Sequence, residues 1–438
     1  MKHSKHNIFS KIANSENYFI VNPLSGQADI LEPDEAQRFI DNKPSDPQIY
    51  FEKGYLVDPK EEEKLFKKKY LDFIDERDTD EVQLFFTPWY TCNFNCSYCF
   101  QDEYTNQEDN VKHDVIEAFF TYVDTTFSDR KKYITIFGGE PFLNTPAKKA
   151  SIQKIFTEAN KRKLDIAVVT NGYNIVDYID ILKTGTIREI QVTLDGTQSV
   201  HDKRRMLKGG AGSFNRIAEG ISLLLKNHIP VNVRMIVDKD NINNLPELAR
   251  FAIEQGWTSN PMFKTALGRN YELHHCQTNN KRLYSRIEMY QEVYDIVKKY
   301  PEVLEFHKPS FSISKFIFEN GELPNPLFDS CSGGKTEWAF DYSGKIYSCT
   351  ATVGNNGDEL GTFYPTIELK EDLIEEWQER DVLSIKECTT CSVRLACGGG
   401  CAAIAKAQTG KLHSPDCRPI KELMELGIGL YGEVASPQ

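Results

Sequence analysis

Residues 82–100 read VQLFFTPWYTCNFNCSYCF. The run VQLFFT is apolar and aromatic, has strand character, and stops at Pro88. Three cysteines follow in a C-x3-C-x2-C spacing, Cys92, Cys96 and Cys99. Outward from here the same rhythm of short strand, loop and helix recurs. YITIFGG, LDIAVVTNG, EIQVTLDG and VNVRMIVD are rich in β-branched and aromatic residues, with helical patterns such as HDVIEAFFTYVDTTF and FNRIAEGISLLLKN between them. Strands alternating with helices predict βαβ units and a parallel sheet. Five or six such units predict an α/β fold built on a partial (β/α)6 TIM-type barrel. Ligands in such folds gather at the C-terminal ends of the strands. The cysteine triplet, GGEP, TNG and LDG each follow one of the first four strands, so they share one rim.

At 438 residues the chain exceeds what one core organises. Three regions are expected: 1–80, 81–310 and 311–438. In the first, YFIVNPLSGQADIL reads as two strands around a turn and PDEAQRFID as a helix. GYLVDPKEEEKLFKKKYLDFIDERD reads as a short strand and a charged helix. Lys67, Lys68 and Lys69, with acidic residues nearby, read as its solvated face. The third region is irregular and rich in Gly and Cys, as a small domain held by metals rather than a large core would be. A net charge of −12 argues against nucleic acid as a partner. No apolar run is long enough for a bilayer, and the start lacks the apolar core of a signal peptide. A cytoplasmic protein is expected.

Eleven cysteines in such a compartment point to metal or catalysis rather than disulfides. Ten lie in residues 92–99 and 331–417; Cys276 stands apart. Thiolates suit zinc, copper(I) or iron–sulfur clusters. Structural zinc wants four ligands, whereas three thiolates on a [4Fe–4S] cubane leave one iron open for chemistry.

The triplet, with Tyr98 before its third cysteine, resembles the signature of radical S-adenosylmethionine (SAM) enzymes. The resemblance implies that the open iron chelates SAM, and that its reductive cleavage yields a 5′-deoxyadenosyl radical that takes a hydrogen atom from the substrate. GGEP, Gly138, Gly139, Glu140 and Pro141, resembles the family motif that contacts the SAM amino group. Paired glycines let a backbone approach a ligand closely. In VTLDGTQSVHDKRR, Thr193 corresponds to the residue facing the SAM ribose or carboxylate, and Arg205 to the arginine that pairs with the carboxylate. Asp195 and His201 read as a turn and a helix cap, and Asn171 as a SAM contact or a turn residue.

The second group reads C-x12-G-x4-C (Cys331, Gly344, Cys349), then C-x2-C-x5-C-x3-C (Cys388, Cys391, Cys397, Cys401), then Cys417. It resembles the SPASM extension of radical SAM enzymes, which implies two auxiliary [4Fe–4S] clusters and so three in all. By position, Cys331, Cys349 and Cys401 hold the first, and Cys388, Cys391, Cys397 and Cys417 the second. Seven ligands leave one place open; Cys276 could fill it but reads rather as an ordinary free thiol, and the open place could then bind a substrate thiolate. A pair of zinc knuckles is the competing reading of these spacings. GGKT at 333–336 is not a phosphate loop, because Asp329 stands where that motif needs glycine.

SPASM enzymes resemble peptide and protein maturases. Residues 1–80 resemble the winged-helix-like α+β leader-recognition element of ribosomal-peptide (RiPP) maturases, or serve as a cap on the barrel. The expected function is hydrogen abstraction from a precursor peptide bearing a leader, forming a thioether ahead of a carbon–carbon cross-link, with a flavodoxin or ferredoxin-type reductant. Anaerobic sulfatase maturation is the enzymatic alternative. Thr350, after Cys349, stands where that group carries an aspartate proton acceptor. A zinc-binding interaction protein is the alternative of another class. No catalytic acid or base is legible.

Overall fold

The computed structural model describes residues 1–99, 110–270 and 281–435. Cys276 lies outside them.

Six parallel strands stand side by side in chain order: β1 Val82–Thr87, β2 Lys132–Ile136, β3 Ile166–Thr170, β4 Ile187–Thr193, β5 Val231–Val237 and β6 Phe263–Arg269. The helices His113–Thr126, Pro146–Lys161, Ile175–Leu182, Phe214–Lys226 and Leu245–Glu254 separate them in turn. Strand alternation sorts the side chains. Along β5, Val231, Val233, Met235 and Val237 are buried in the main core, while Arg234 and Ile236 line a cavity inside the barrel. The covering helices present matching stripes, such as Ile217, Ile221 and Leu224, all fully buried. Pro146 opens its helix beneath the Thr145 hydroxyl, which accepts from the Lys148 N–H.

The sheet does not end with the barrel. β7, Glu337–Asp341, arrives from the cysteine-rich region and pairs in parallel with β1, Glu337 opposite Gln83. Two antiparallel strands, Lys345–Tyr347 and Glu359–Thr362, extend it further. One sheet thus crosses the 310/311 boundary. The residue after Gly333-Gly334-Lys335-Thr336 starts a strand rather than a helix, as the absence of a phosphate loop requires.

Residues 8–31 form an antiparallel sheet of Ile8–Lys11, Tyr18–Asn22 and Gln27–Leu31, followed by helices Pro33–Ile40, Pro47–Glu52 and Pro59–Thr79. The sequence reading missed Lys2–His3, Ile8–Lys11 and the Pro47–Glu52 helix; the short strand it placed in GYLVD is Leu56–Val57, which pairs with Lys2–His3. The long helix buries Phe66 and packs Tyr70 and Phe73 around Phe328, and the Tyr70 hydroxyl donates to Asp381 (2.7 Å). Lys67 and Lys68 are exposed, and Lys67 pairs with Glu63 at 2.8 Å.

Candidate active site

The cysteine loop leaves β1 through Trp89, which is fully buried and donates from Nε1 to the Glu140 carbonyl (2.7 Å). It returns as the short strand Phe94–Cys96, paired with Arg205–Leu207 so that Cys96 lies opposite Arg205. That ribbon fixes the arginine beside the thiols. On the other side, a Cβ on Gly139 would sit 2.2 Å from the Tyr90 carbonyl oxygen. The glycines of GGEP therefore serve backbone-to-backbone contact with the cysteine loop as well as the rim.

A cavity of about 230 Å³ opens at this rim. Cys92, Cys96, Cys99 and Tyr98 line it, with Gly138, Gly139, Asn171, Thr193 and Arg205. Glu140 and Pro141 do not. Both are buried, and the Glu140 carboxylate turns inward to accept from Thr170 Oγ1 (2.6 Å), Phe142 N (2.8 Å) and Asn171 N (2.6 Å). It clamps the second rim loop to the third. Burial lifts its pKa to about 7 against the pull of those three donors. Its oxygens thus serve neighbouring loops.

Arg205 and Tyr98 act as a pair. The Tyr98 hydroxyl donates to Asp195 (2.6 Å) and accepts from Arg205 Nη1 (2.7 Å). Burial opposes the Arg205 charge, but Cys96, Tyr98 and Asp195 hold it protonated well above its ordinary range. Asp195 is more than a turn residue. It also accepts from the Ile236 N–H (3.0 Å) and from Arg204 Nε (3.3 Å), while Arg204 grips Asp238 with two nitrogens at 2.8 and 3.0 Å. The two adjacent arginines have divided roles: Arg204 braces the barrel and Arg205 faces the cavity. Sequence reading missed Gln191, Arg234, Arg269 and Asn270, which line the same space from β4, β5 and β6. For Gln191 the available signal was the alternation of Glu189, Gln191 and Thr193 along β4.

The donors fit an iron–sulfur cluster and its cosubstrate. Burial, with Glu140 next, pushes the Cys92 thiol up to about 12, so a bound cation is what would release its proton. Its sulfur accepts from Phe94 N (3.4 Å) and Asn171 Nδ2 (3.8 Å), the kind of donors that tune a cluster. Arg205 Nε is buried without a partner, an anion contact left to be filled.

The later cysteines gather in two sets. Burial raises the Cys349 thiol, and Cys331 and Cys401 add to the shift. Burial lifts Cys388 to about 11, with Cys397, Cys391 and Cys417 adding. Gly398, Gly399 and Gly400 between them all have positive φ, and a Cβ on Gly400 would lie 2.0 Å from the Asp416 carbonyl oxygen. Among the described residues no three His, Cys, Asp or Glu close on a single metal ion. A cubane carries its thiolates on separate irons and so spaces them more widely than one ion does.

Comparison with known proteins places this geometry. Residues 86–252 match the family model of the Radical SAM superfamily. These residues form a radical SAM domain, and the chain is an enzyme. It is 26% identical over 174 residues to a cysteine-type anaerobic sulfatase-maturating enzyme of Clostridium novyi, spanning 37% of this chain and 46% of that one. A serine-type enzyme of the same name from Bacteroides thetaiotaomicron is 30% identical over 159 residues, 34% of this chain and 38% of that one. The matches thus cover less than half of either relative. Among solved structures, anSMEcpe with bound AdoMet and Cp18Cys peptide aligns with a TM-score of 0.62 at 18% identity, over 81% of this chain and 99% of that one. Streptococcus suis SuiB aligns with a TM-score of 0.54 at 15% identity, over 96% and 99%, and SuiB bound to its precursor peptide SuiA with 0.51. No helix of the described residues is long and apolar enough to cross a membrane.

Proposed function

We propose that the chain is a radical SAM/SPASM maturase that modifies a ribosomally made precursor peptide, forming a thioether ahead of a carbon–carbon cross-link. The observation that carries this reading is the gathering of seven further cysteines in two groups, with Cys349, Cys388 and Cys397 buried, in the same chain as the cysteine-lined barrel rim. Cys92, Cys96 and Cys99 would hold the SAM-binding [4Fe–4S] cluster. Cys331, Cys349 and Cys401 would hold one auxiliary cluster, and Cys388, Cys391, Cys397 and Cys417 the other. When bound, these groups supply a 5′-deoxyadenosyl radical that removes a hydrogen atom and a sink for the second electron of the oxidation.

The chain's own residues orient and enclose. Arg205, steadied by Tyr98, offers Nε to the SAM carboxylate. Thr193 and the Gly138–Gly139 backbone border the same cavity. Asn171 bridges the third rim loop to the cysteine loop through Asn93 Oδ1 (2.8 Å). At the N-terminus, the Ile8–Lys11 edge is covered by the helix Ile420–Ala435, through Ala13 N to Glu425 O (3.1 Å) and a Ser10–Glu425 pair. The Gln27–Leu31 strand pairs on one side only, and a leader would add there as a further strand. The likeness to SuiB extends over this region, which supports the leader reading over a plain cap. A flavodoxin or ferredoxin-type reductant and a cytoplasmic setting complete it.

Co-expression with any small Cys-rich reading frame found beside the gene, followed by mass spectrometry, tests the reading. Loss of two hydrogens per cross-link is expected; an unmodified precursor counts against it. The relatives named above favour formylglycine formation as second reading, against which Thr350 stands. Oxidation of a C-x-P-x-R peptide would install it instead.

A further inference from the structure

A second cavity, of about 430 Å³, lies beyond β6, and Arg269 lines both it and the first. Its size is within the usual range for small-ligand sites. The helix Arg286–Lys299 and the segment Ser310–Ile313 form one wall, and the chain after Cys417 the other. In a chain of net charge −12, this lining holds three arginines, Arg269, Arg286 and Arg418, and, among the described residues, no acidic side chain.

Two of these cations, Arg286 and Arg418, are not used up by the fold. Arg269 Nη1 donates to the Tyr284 carbonyl (2.6 Å), and Asp416 takes one nitrogen of Arg286 (2.7 Å). Arg286 Nη1 is buried with no partner. Among the described residues, no hydrogen bond or ion pair engages the Arg418 guanidinium. Ser312 Oγ is likewise buried and unpaired. It sits on strained backbone: Phe311 and Ser312 have φ of 42° and 61°, and neither is glycine. Strain of this kind concentrates where a site is being shaped. Unsatisfied guanidinium nitrogens and a hydroxyl in one enclosed space call for an anion, and a carboxylate matches the guanidinium fork. Leu267, Met289 and Leu423 make the rest of the wall apolar, which suits an anion attached to an organic chain better than a free inorganic one.

We propose that this cavity binds a carboxylate of the substrate peptide beside an apolar side chain, while the adjoining segment passes Arg269 into the radical site. The inference rests on the reading that the substrate is a peptide. The carboxylate comes either from an acidic side chain or from the peptide's C-terminus, and the test separates the two.

Three synthetic peptides are titrated calorimetrically into the cluster-loaded, SAM-bound enzyme under anaerobic conditions: Ac-GLELG-NH2, its neutral analogue Ac-GLQLG-NH2, and Ac-GLQLG with a free C-terminus. One acid-bearing peptide is expected to bind at least about tenfold more tightly than the neutral one, and which one does so names the source. Arg418→Gln should abolish that ratio, and Arg418→Lys should keep much of it. Equal binding of all three, binding of none, or a ratio that survives Arg418→Gln overturns the site. The wild-type ratio decides even if a variant does not fold. Because binding is read without turnover, an intact ratio with an unmodified precursor sinks the maturase chemistry and leaves the site. A modified precursor with no ratio does the reverse.

Discussion

His201 shows how much a single side chain can fix. The Asp195 N–H donates to its Nδ1 (3.1 Å), so the ring proton sits on Nε2 and points to Ser213 Oγ (3.1 Å), whose hydroxyl donates to the Arg205 carbonyl (2.7 Å). Burial, then Arg205, lowers its pKa to about 3, and burial lowers His6 to about 3 and His307 to about 4. Folded-state values below the unfolded one mean that the unfolded chain binds more protons between these limits. Stability is therefore full above pH 6.5 and falls as pH is lowered, by about 1.4 kcal/mol per pH unit for each such group. Urea midpoints from pH 7 to 4 should fall accordingly, and His201→Asn should flatten the slope; a flat wild-type profile would refute the assignment. At this scale the sequence was most legible where residues form a motif. The cysteine spacing, Tyr98, Thr193 and Arg205 lie at the cavity as their pattern implied. The clamp that Glu140 forms was not legible, because its hydrogen-bond partners come mostly from a loop distant in sequence. Arg234 and Asn270 were missed because a lone polar residue on a strand carries no signature until its neighbours are known.

Among the connecting elements, the loop from Gly398 to Gly400 depends on one side chain outside it. Arg380 is fully buried and donates to four carbonyls, Leu412 (2.8 Å), Gly399 (3.0 Å), Gly400 (3.2 Å) and Ser414 (2.9 Å). It also stands 3.8 Å from Asp329, which accepts from Cys331 N (2.9 Å) and pairs with the buried Lys335. One guanidinium thus braces loops carrying cysteines of both later groups. Each such charged hydrogen bond contributes about 1.5–3 kcal/mol, and removing the donor leaves buried carbonyls unpaired. Arg380→Met should therefore lower the iron of anaerobically reconstituted protein from about twelve per chain towards about four, the share of the first cluster. Full iron with an unchanged EPR spectrum would rule this out. GGKT, a decoy in the sequence, thereby finds a role: its lysine is half of a buried ion pair. The first five strands of the barrel and the helices His113–Thr126 and Phe214–Lys226 were legible from local pattern, whereas β6 was not picked out. β7 was not, because its partner β1 is far upstream and no local pattern announces a pairing at that distance.

For the molecule as a whole, the three expected regions are welded together rather than strung along a chain. The main core runs from Val82 to Tyr431, and the long N-terminal helix seats its aromatic residues on Phe328. Chains ending before Glu337 leave the edge of β1 unpaired and its aromatic run uncovered, and should partition into aggregates rather than supernatant on expression. Soluble, monodisperse material from such a truncation would contradict that. The pairing of Gln83 with Glu337 has a further consequence in time. A ribosome releases β1 long before β7, so the growing chain carries a sticky half-finished edge while the whole barrel is being made. The last seam to close is also the one that draws the later cysteines up to the barrel. On the proposed function, metal loading of those sites would be deferred until synthesis is nearly over, so that chain topology alone would order maturation of the enzyme.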